Sequence, residues 1–327
     1  MGVVRNYFKG MVSVALAGMI CLLCVHAVAA YPERSVRLVI PYPPGGAGDI
    51  VGRMLSIKLV ELLGQQMVID NRPGGAQVIA TQLVARAPAD GYTLFLASAT
   101  HGINPGLIGK LPYDSIRDFA PITIVADSPL IFAAHPSLNV STIQELVAAA
   151  KVRPGRINYA SSGPGTGGHL SNELLKWMAR IDMVHVPYKG AAPALVDVLG
   201  GQVPLICTSP LAALPHVMSG RLRGLAMTSL KRSRAAPDIP TVAESGFPGY
   251  ASSLWYAMLA PARTPPQIIK RLHGDTVKIL KSTDVMEQLL KQGADPIANT
   301  PQEAEKFLRS EIERWTKVIL EAKISGE

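Results

Sequence analysis

The stretch Pro41-Tyr42-Pro43-Pro44-Gly45-Gly46-Ala47-Gly48-Asp49 separates a strand-like run at 36–40 from a helical pattern at 50–63, in which Val51, Leu55, Leu59 and Leu62 recur at helical spacing before Gly64 stops it. A strand, a proline-glycine turn and a helix in direct succession form half of an α/β unit, and this chain repeats the arrangement. Residues 67–69 lead through Asn71-Arg72-Pro73-Gly74-Gly75 into a helix at 76–87, so Pro-Gly-Gly-Ala occurs twice between a strand and a helix. Asp90-Gly91 introduces a third strand at 92–96, which ends in Ala97-Ser98-Ala99-Thr100. After a loop-rich stretch at 102–121 come apolar runs at 122–126 and 130–134 and a capping-box helix start at 141–145. A second series follows: a strand at 157–160, the glycine turn Ser161-Ser162-Gly163-Pro164-Gly165-Thr166-Gly167-Gly168, a helix at 169–178, Val184-His185-Val186-Pro187, and further strands at 203–207 and 222–228. This alternation predicts open parallel α/β sheets in two halves, with ligands beyond the carboxyl ends of the strands.

The first turn has the chemistry of an anion seat. Backbone N–H groups at a helix start are unpaired within the helix and lie at the positive end of its dipole, so residues 41–49 are suited to a carboxylate. Asp49, a carboxylate beside an incoming carboxylate, is either the N-cap of a helix starting at Ile50 or the acceptor for a water that touches the ligand. Ser98 and Thr100 either donate to a ligand or cap the next segment, and the second Pro-Gly-Gly-Ala serves close helix–strand packing. His169 falls in the first turn of its helix, where the dipole favours a neutral imidazole that either donates to a ligand or is a satisfied structural group.

Nearer the carboxyl end, residues 237–250 read as a connector and 254–260 as a strand. Thr264-Pro265-Pro266-Gln267 and Thr300-Pro301-Gln302-Glu303 read as threonine-capped helix starts. Phe307, Leu308, Ile312, Trp315 and Ile319 form a packing stripe on the last helix.

Residues 1–30 carry the marks of a cleaved export leader: Arg5 and Lys9, an apolar run at 11–25, and the small residues Ala27-Val28-Ala29-Ala30. The alternative is an uncleaved anchor. Without that leader the net charge of +8 falls to +6, with no clustered basic stripe, which argues against nucleic acid as a partner. Cys207 alone of the three cysteines would remain, as a small core residue, and no internal disulfide could form.

Several ordered motifs resemble one exported family. They are residues 41–49, Asp90-Gly91-Tyr92-Thr93, His169-Leu170, Val186-Pro187-Tyr188-Lys189-Gly190 and Pro240-Thr241-Val242-Ala243-Glu244. This sequence is similar in these motifs to the substrate-binding receptors of tripartite tricarboxylate transporters, the Bug family, over essentially the whole chain after the leader. The resemblance implies a type II periplasmic binding protein fold, with two α/β domains, a hinge and an interdomain ligand cleft. Residues 31–130 with 252–327 would form one domain and 131–251 the other. It implies a periplasmic receptor for a small carboxylate, monomeric, without catalytic activity, cofactor or metal, serving the membrane subunits of such a transporter. The ligand-binding residues it implies are Tyr42, Gly45, Gly46, Ala47, Gly48 and Asp49 from the first loop, Ser98 and Thr100, then Ser162, Gly163, Thr166, His169 and Tyr188 from the second half. Two departures from the family pattern are Pro204, where an acidic residue is common, and the order Gly74-Gly75-Ala76-Gln77. Two other readings remain open. One is a nucleotide-dependent enzyme using the G-x-G-x-x-G of residues 163–168 with Asp182 on the ribose. The other is a receptor for a signalling system.

Overall fold

The structure, a computed structural model, describes residues 31–45, 47–234, 236–322 and 324. The leader at 1–30 and Gly46 lie outside the described residues. Two mixed sheets organise the chain. The first has strand order β11-β4-β10-β3-β1-β2 and the second β7-β6-β8-β5-β9. In the first, β1 (Val36–Ile40) runs parallel to both β2 (Met67–Asn71) and β3 (Thr93–Ser98), whereas β10 (Ser253–Pro261) runs antiparallel between β3 and β4 (Phe119–Pro129). The short β11 (Asp295–Pro296) completes its edge. In the second, β6 (Asn158–Ser161) is parallel to β7 (Val184–Pro187) and β8 (Leu205–Thr208), while β5 (Ile131–Ala134) is antiparallel to β8 and β9 (Arg223–Met227). The expectation of wholly parallel sheets is therefore corrected. The strands by which the chain enters each sheet from the other, β5 on the way out and β10 on the return, run against the parallel strands of that sheet, whereas β4 keeps the direction of β1–β3.

The helices between the strands are α1 (Ala47–Leu63), α2 (Val78–Ala85), α3 (Ala99–Leu107) and α4 (Ile143–Val152), then α5 (Gly167–Ala179), α6 (Ala191–Leu199) and α7 (Pro210–Met218). Helices α8 (Pro266–Leu280), α9 (Thr283–Lys291) and α10 (Pro301–Glu321) follow β10. Among the described residues no helix is long and apolar enough to cross a membrane. The stretch expected to be loop-rich holds α3, which tolerates Pro105 near its last turn. Thr264 does not cap α8: its hydroxyl donates to the Pro261 carbonyl, and the helix opens at Pro266. Thr300 does cap α10, in a reciprocal box with Glu303.

Apolar burial ties the sheets together at the crossing. Phe95, Leu130, Phe132, Leu170, Tyr250, Trp255 and Trp315 belong to one continuous cluster that reaches from the first sheet to the second. Separate clusters fill the outer faces, around Leu38, Leu55 and Met258 in one domain and Ile131, Val198 and Ile206 in the other. At the crossing itself, Thr228 bonds Leu130 in both directions: its hydroxyl accepts from the Leu130 N–H and its own N–H donates to the Leu130 carbonyl. Ser252 N–H then donates to the Thr228 carbonyl.

Candidate functional site

A cavity of about 450 Å³ opens between the two sheets, at the carboxyl ends of β1, β3, β6 and β8. Five helices begin at its wall: α1 through Ala47 and Gly48, α3 through Ala99 and Thr100, α5 through Gly167 and Gly168, α6 through Ala191, and α7 through Thr208 and Ser209 just before it. The first amides of a helix have no partner within it, so this convergence aims five positive dipole ends at one space. None of the described lining residues is Lys, Arg, Asp, Glu or His. An anion held here is held by amides and hydroxyls, which need no countercharge that must be stripped of water. A second hollow, of about 460 Å³, lies at the carboxyl end of α3, and its two cations are already paired, Arg117 with Asp114 and Arg309 with Glu305.

In the first domain the polar wall is Tyr42, Gln77, Ser98 and Thr100. Ser98 Oγ donates to Gln77 Oε1 at 2.9 Å, and Gln77 Nε2 donates to Thr100 Oγ1 at 3.2 Å. Ser98 occupies the N-cap position of α3 but makes no capping bond with its side chain. Burial pushes the Tyr42 phenol up, against hydrogen bonds with Ser98 and Gln77, and its ring meets Tyr256 edge to face at 6.5 Å. Gln77 is the residue that the sequence did not reveal. It arrives through a turn in which Gly74, Gly75, Ala76 and Gln77 all have positive φ, a conformation disfavoured for Ala76 and Gln77. Asn104 Nδ2 holds this turn by donating to the Ala76 carbonyl. The second Pro-Gly-Gly-Ala therefore does more than pack a helix: it delivers a cavity side chain. The order Ala76-Gln77 in place of a glycine pair was the available signal.

Asp49 is not the N-cap expected of it: the helix starts at Ala47, so Asp49 lies inside its first turn. Its carboxylate has three partners: Oδ2 accepts from Gly45 N–H at 2.9 Å and Arg53 Nε at 2.8 Å, and Oδ1 accepts from Asn71 Nδ2 at 2.9 Å. Asn71 Nδ2 also donates to the Tyr42 carbonyl. Burial would raise the Asp49 carboxyl, but Arg53, Gly45 and Asn71 together bring it down to about 2. Asp49 is thus the internal clasp of the first loop. Gly45, exposed at φ +84°, serves that clasp and lies off the cavity wall.

The second loop is built in the same way. Ser161 Oγ accepts from Gly163 N–H and pairs with His185 Nε2 at 2.6 Å. His169 Nδ1 accepts from Gly165 N–H at 3.1 Å, and its ring stacks on His185 at 4.2 Å between centroids. Burial holds the His169 imidazole below its ordinary value, with Glu173 opposing the effect and Lys176 adding to it. Through Nδ1, His169 ties the loop to the first turn of α5. Tyr188 also faces elsewhere, donating its hydroxyl to Asp197 Oδ2, while its carbonyl lies so near Gly163 that a Cβ there would stand 3.3 Å from it. Of the expected site residues, the structure brings Tyr42, Ala47, Gly48, Ser98, Thr100, Ser162 and Thr166 to the wall. It places Gly45, Asp49, Gly163, His169 and Tyr188 behind it.

The nucleotide reading fails on geometry. Asp182 precedes β7 and its carbonyl accepts from Gly155 N–H, so it sits at the amino ends of the strands, opposite the glycine loop at 163–168. An acidic group that grips a ribose must stand at the carboxyl end.

Comparison with known proteins gives a consistent result. Residues 51–324 match the model of the tripartite tricarboxylate transporter family receptor. The chain is 39% identical to the protein BugT of Bordetella pertussis over 293 residues, 89% of this chain and 90% of that one. A solved R. palustris protein with adipate is 36% identical, covers 90% of this chain and 99% of its own, and superposes with a TM-score of 0.73. MatC from Rhodopseudomonas palustris, solved with bound malate, is 30% identical over 88% of this chain and 100% of its own, with a TM-score of 0.70.

Proposed function

Because the chain belongs to the tripartite tricarboxylate transporter receptor family, we propose that it is a periplasmic solute-binding receptor that captures a small carboxylate between its two domains and delivers it to the membrane subunits of such a transporter. The observation that carries this reading is the convergence of five helix starts, from both domains, on one cavity without a charged wall. The adipate and malate held by related proteins support a carboxylate as the ligand class. In this reading residues 31–130 with 252–327 form one lobe and 131–251 the other, hinged where β4 becomes β5 and where β10 returns. Tyr42, Ala47, Gly48, Ser98, Thr100, Ser162 and Thr166 touch the ligand, with Gln77 added to them. Gly45, Asp49, Gly163, His169 and Tyr188 keep the two loops in shape. The receptor acts as a monomer after its leader is removed, and releases its ligand chemically unchanged.

Thermal unfolding against a panel of mono-, di- and tricarboxylates, each paired with its uncharged amide, tests the proposal. A ligand at a hundred times its Kd stabilises the native state by about 2.7 kcal/mol, well within reach of such a scan. Stabilisation by acids and not by their amides is expected. A panel in which no acid moves the midpoint would sink the reading.

A further inference from the structure

The cavity is polar at the helix starts and apolar between them. Leu130 and Leu170 come from the crossing and from α5, Ile103 from α3, Trp315 from α10, and Leu254 from β10. Four of these are buried, but Leu254 is 36% exposed, and among the exposed large apolar residues described it alone lines the cavity. It also touches both domains: it belongs to the returning strand of the first, and a Cβ on Gly167 would stand 3.0 Å from Leu254 Cδ2 and 3.1 Å from Leu130 Cδ1. The first residue of α5 is therefore flanked by leucine, so any ligand part lying there is pressed against hydrocarbon.

Two physical consequences follow. An apolar ligand body covers Leu254 and gains the burial free energy that this side chain forgoes in the empty cavity. A hydroxylated body must instead lose the water on its hydroxyls against Leu130, Leu170, Leu254 and Trp315. The polar groups of the first domain can receive one carboxylate through Tyr42, Thr100 and the starts of α1 and α3. In the second loop Gly163 N–H and Gly165 N–H are already committed to Ser161 and His169.

We propose that this cleft selects a carboxylate whose remaining body is apolar, an aromatic or unsubstituted aliphatic acid, and that Leu254 is the residue that sets this preference. The inference rests on the carboxylate reading above and adds the chemistry of the rest of the ligand. Calorimetric titration tests it with benzoate, hexanoate and adipate set against malate and citrate, in the parent and in Leu254→Ser and Leu254→Met. Adipate against malate holds the number of carboxylates constant. In the parent, the best apolar-bodied acid is expected to bind at least about tenfold more tightly than malate or citrate. Leu254→Ser should remove most of that ratio and Leu254→Met should keep it, with both ligand-free variants unfolding close to the parent. If malate or citrate binds as tightly as the apolar acids, the selectivity is overturned while the carboxylate reading stands. An unchanged ratio in Leu254→Ser overturns the role of Leu254. Failure of every acid to bind the parent overturns the carboxylate reading itself.

Discussion

Asp127 on β4 and Asp295 on β11 stand opposite each other in antiparallel register, each with its Oδ1 buried and without a hydrogen-bond partner. They lie where β4 approaches the crossing between the domains. Burial raises the Asp127 carboxyl from the ordinary 3.8 to about 6, opposed by a hydrogen bond from Ser253 and by Arg314 and reinforced by Glu311 and Asp295. Between about pH 4 and 6 the native state holds a proton that the unfolded chain has released. The contribution of Asp127 to stability is thus most favourable below pH 4 and is lost as pH rises through 6. Asp127→Asn should stabilise the protein at pH 7.5 by roughly 1–3 kcal/mol and leave it unchanged near pH 4. Urea unfolding at the two pH values measures this, and a variant weakened at pH 7.5 contradicts it.

Asp49 supplies the opposite sign. Its carboxyl is depressed to about 2, so its contribution is complete above pH 4 and disappears as pH falls toward 2. Asp49→Ala takes the acceptor from Gly45 N–H and one of the two acceptors from the Asn71 amide, at a cost of roughly 1–3 kcal/mol, and frees the start of α1 to move. The expected result is a lower unfolding midpoint at neutral pH together with weaker ligand binding. Asp49→Asn, which keeps the shape but not the charge that pairs Arg53, should fall between the two.

These clasps mark the limit of what the sequence disclosed. The alternation of strands and helices and the two cavity loops were legible because glycine and proline punctuate the chain locally, as at Gly64 and residues 43–46. The sheet directions were not, since whether β10 pairs parallel or antiparallel depends on the path between domains. Motif proximity does not give side-chain direction either: His169 and Tyr188 adjoin cavity residues in sequence, yet the His169 Nδ1 turns to Gly165 and the Tyr188 hydroxyl to Asp197. Gln77 and Leu254 were missed for the converse reason. One reaches the cavity through a turn braced by a distant Asn104, and the other sits in a strand whose apolar run reads as ordinary core.

Gly168 has no room for a side chain. A Cβ there would lie 2.3 Å from the Cys207 carbonyl oxygen, a backbone atom that cannot step aside without moving β8. Gly168→Ala should therefore push α5 away from the sheet and destabilise the protein by about 2 kcal/mol or more. Gly167→Ala meets only the flexible end of Leu254 and of Leu130, and should be much milder in denaturant unfolding. Equal losses from the two substitutions would contradict this packing.

His169 gives the second loop a dependence on protons. Its Nδ1 can accept from Gly165 N–H only while it carries no proton itself. Burial lowers its pKa from 6.5, and that of the stacked His185 to about 4, with Glu173 opposing and Lys176 adding to both shifts. The native state therefore takes up fewer protons than the unfolded chain just below pH 6.5. The stabilising contribution is complete above 6.5 and is lost as pH falls through the native values. Since Ser162 and Thr166 on the wall are held by this loop, ligand affinity should fall over the same range. His169→Ala should bind a few-fold more weakly at pH 7.5, through the released amide, and show a flatter decline toward pH 5. The readout is ligand Kd across that range in parent and variant; a variant whose pH profile parallels the parent's would assign the dependence to His185 alone.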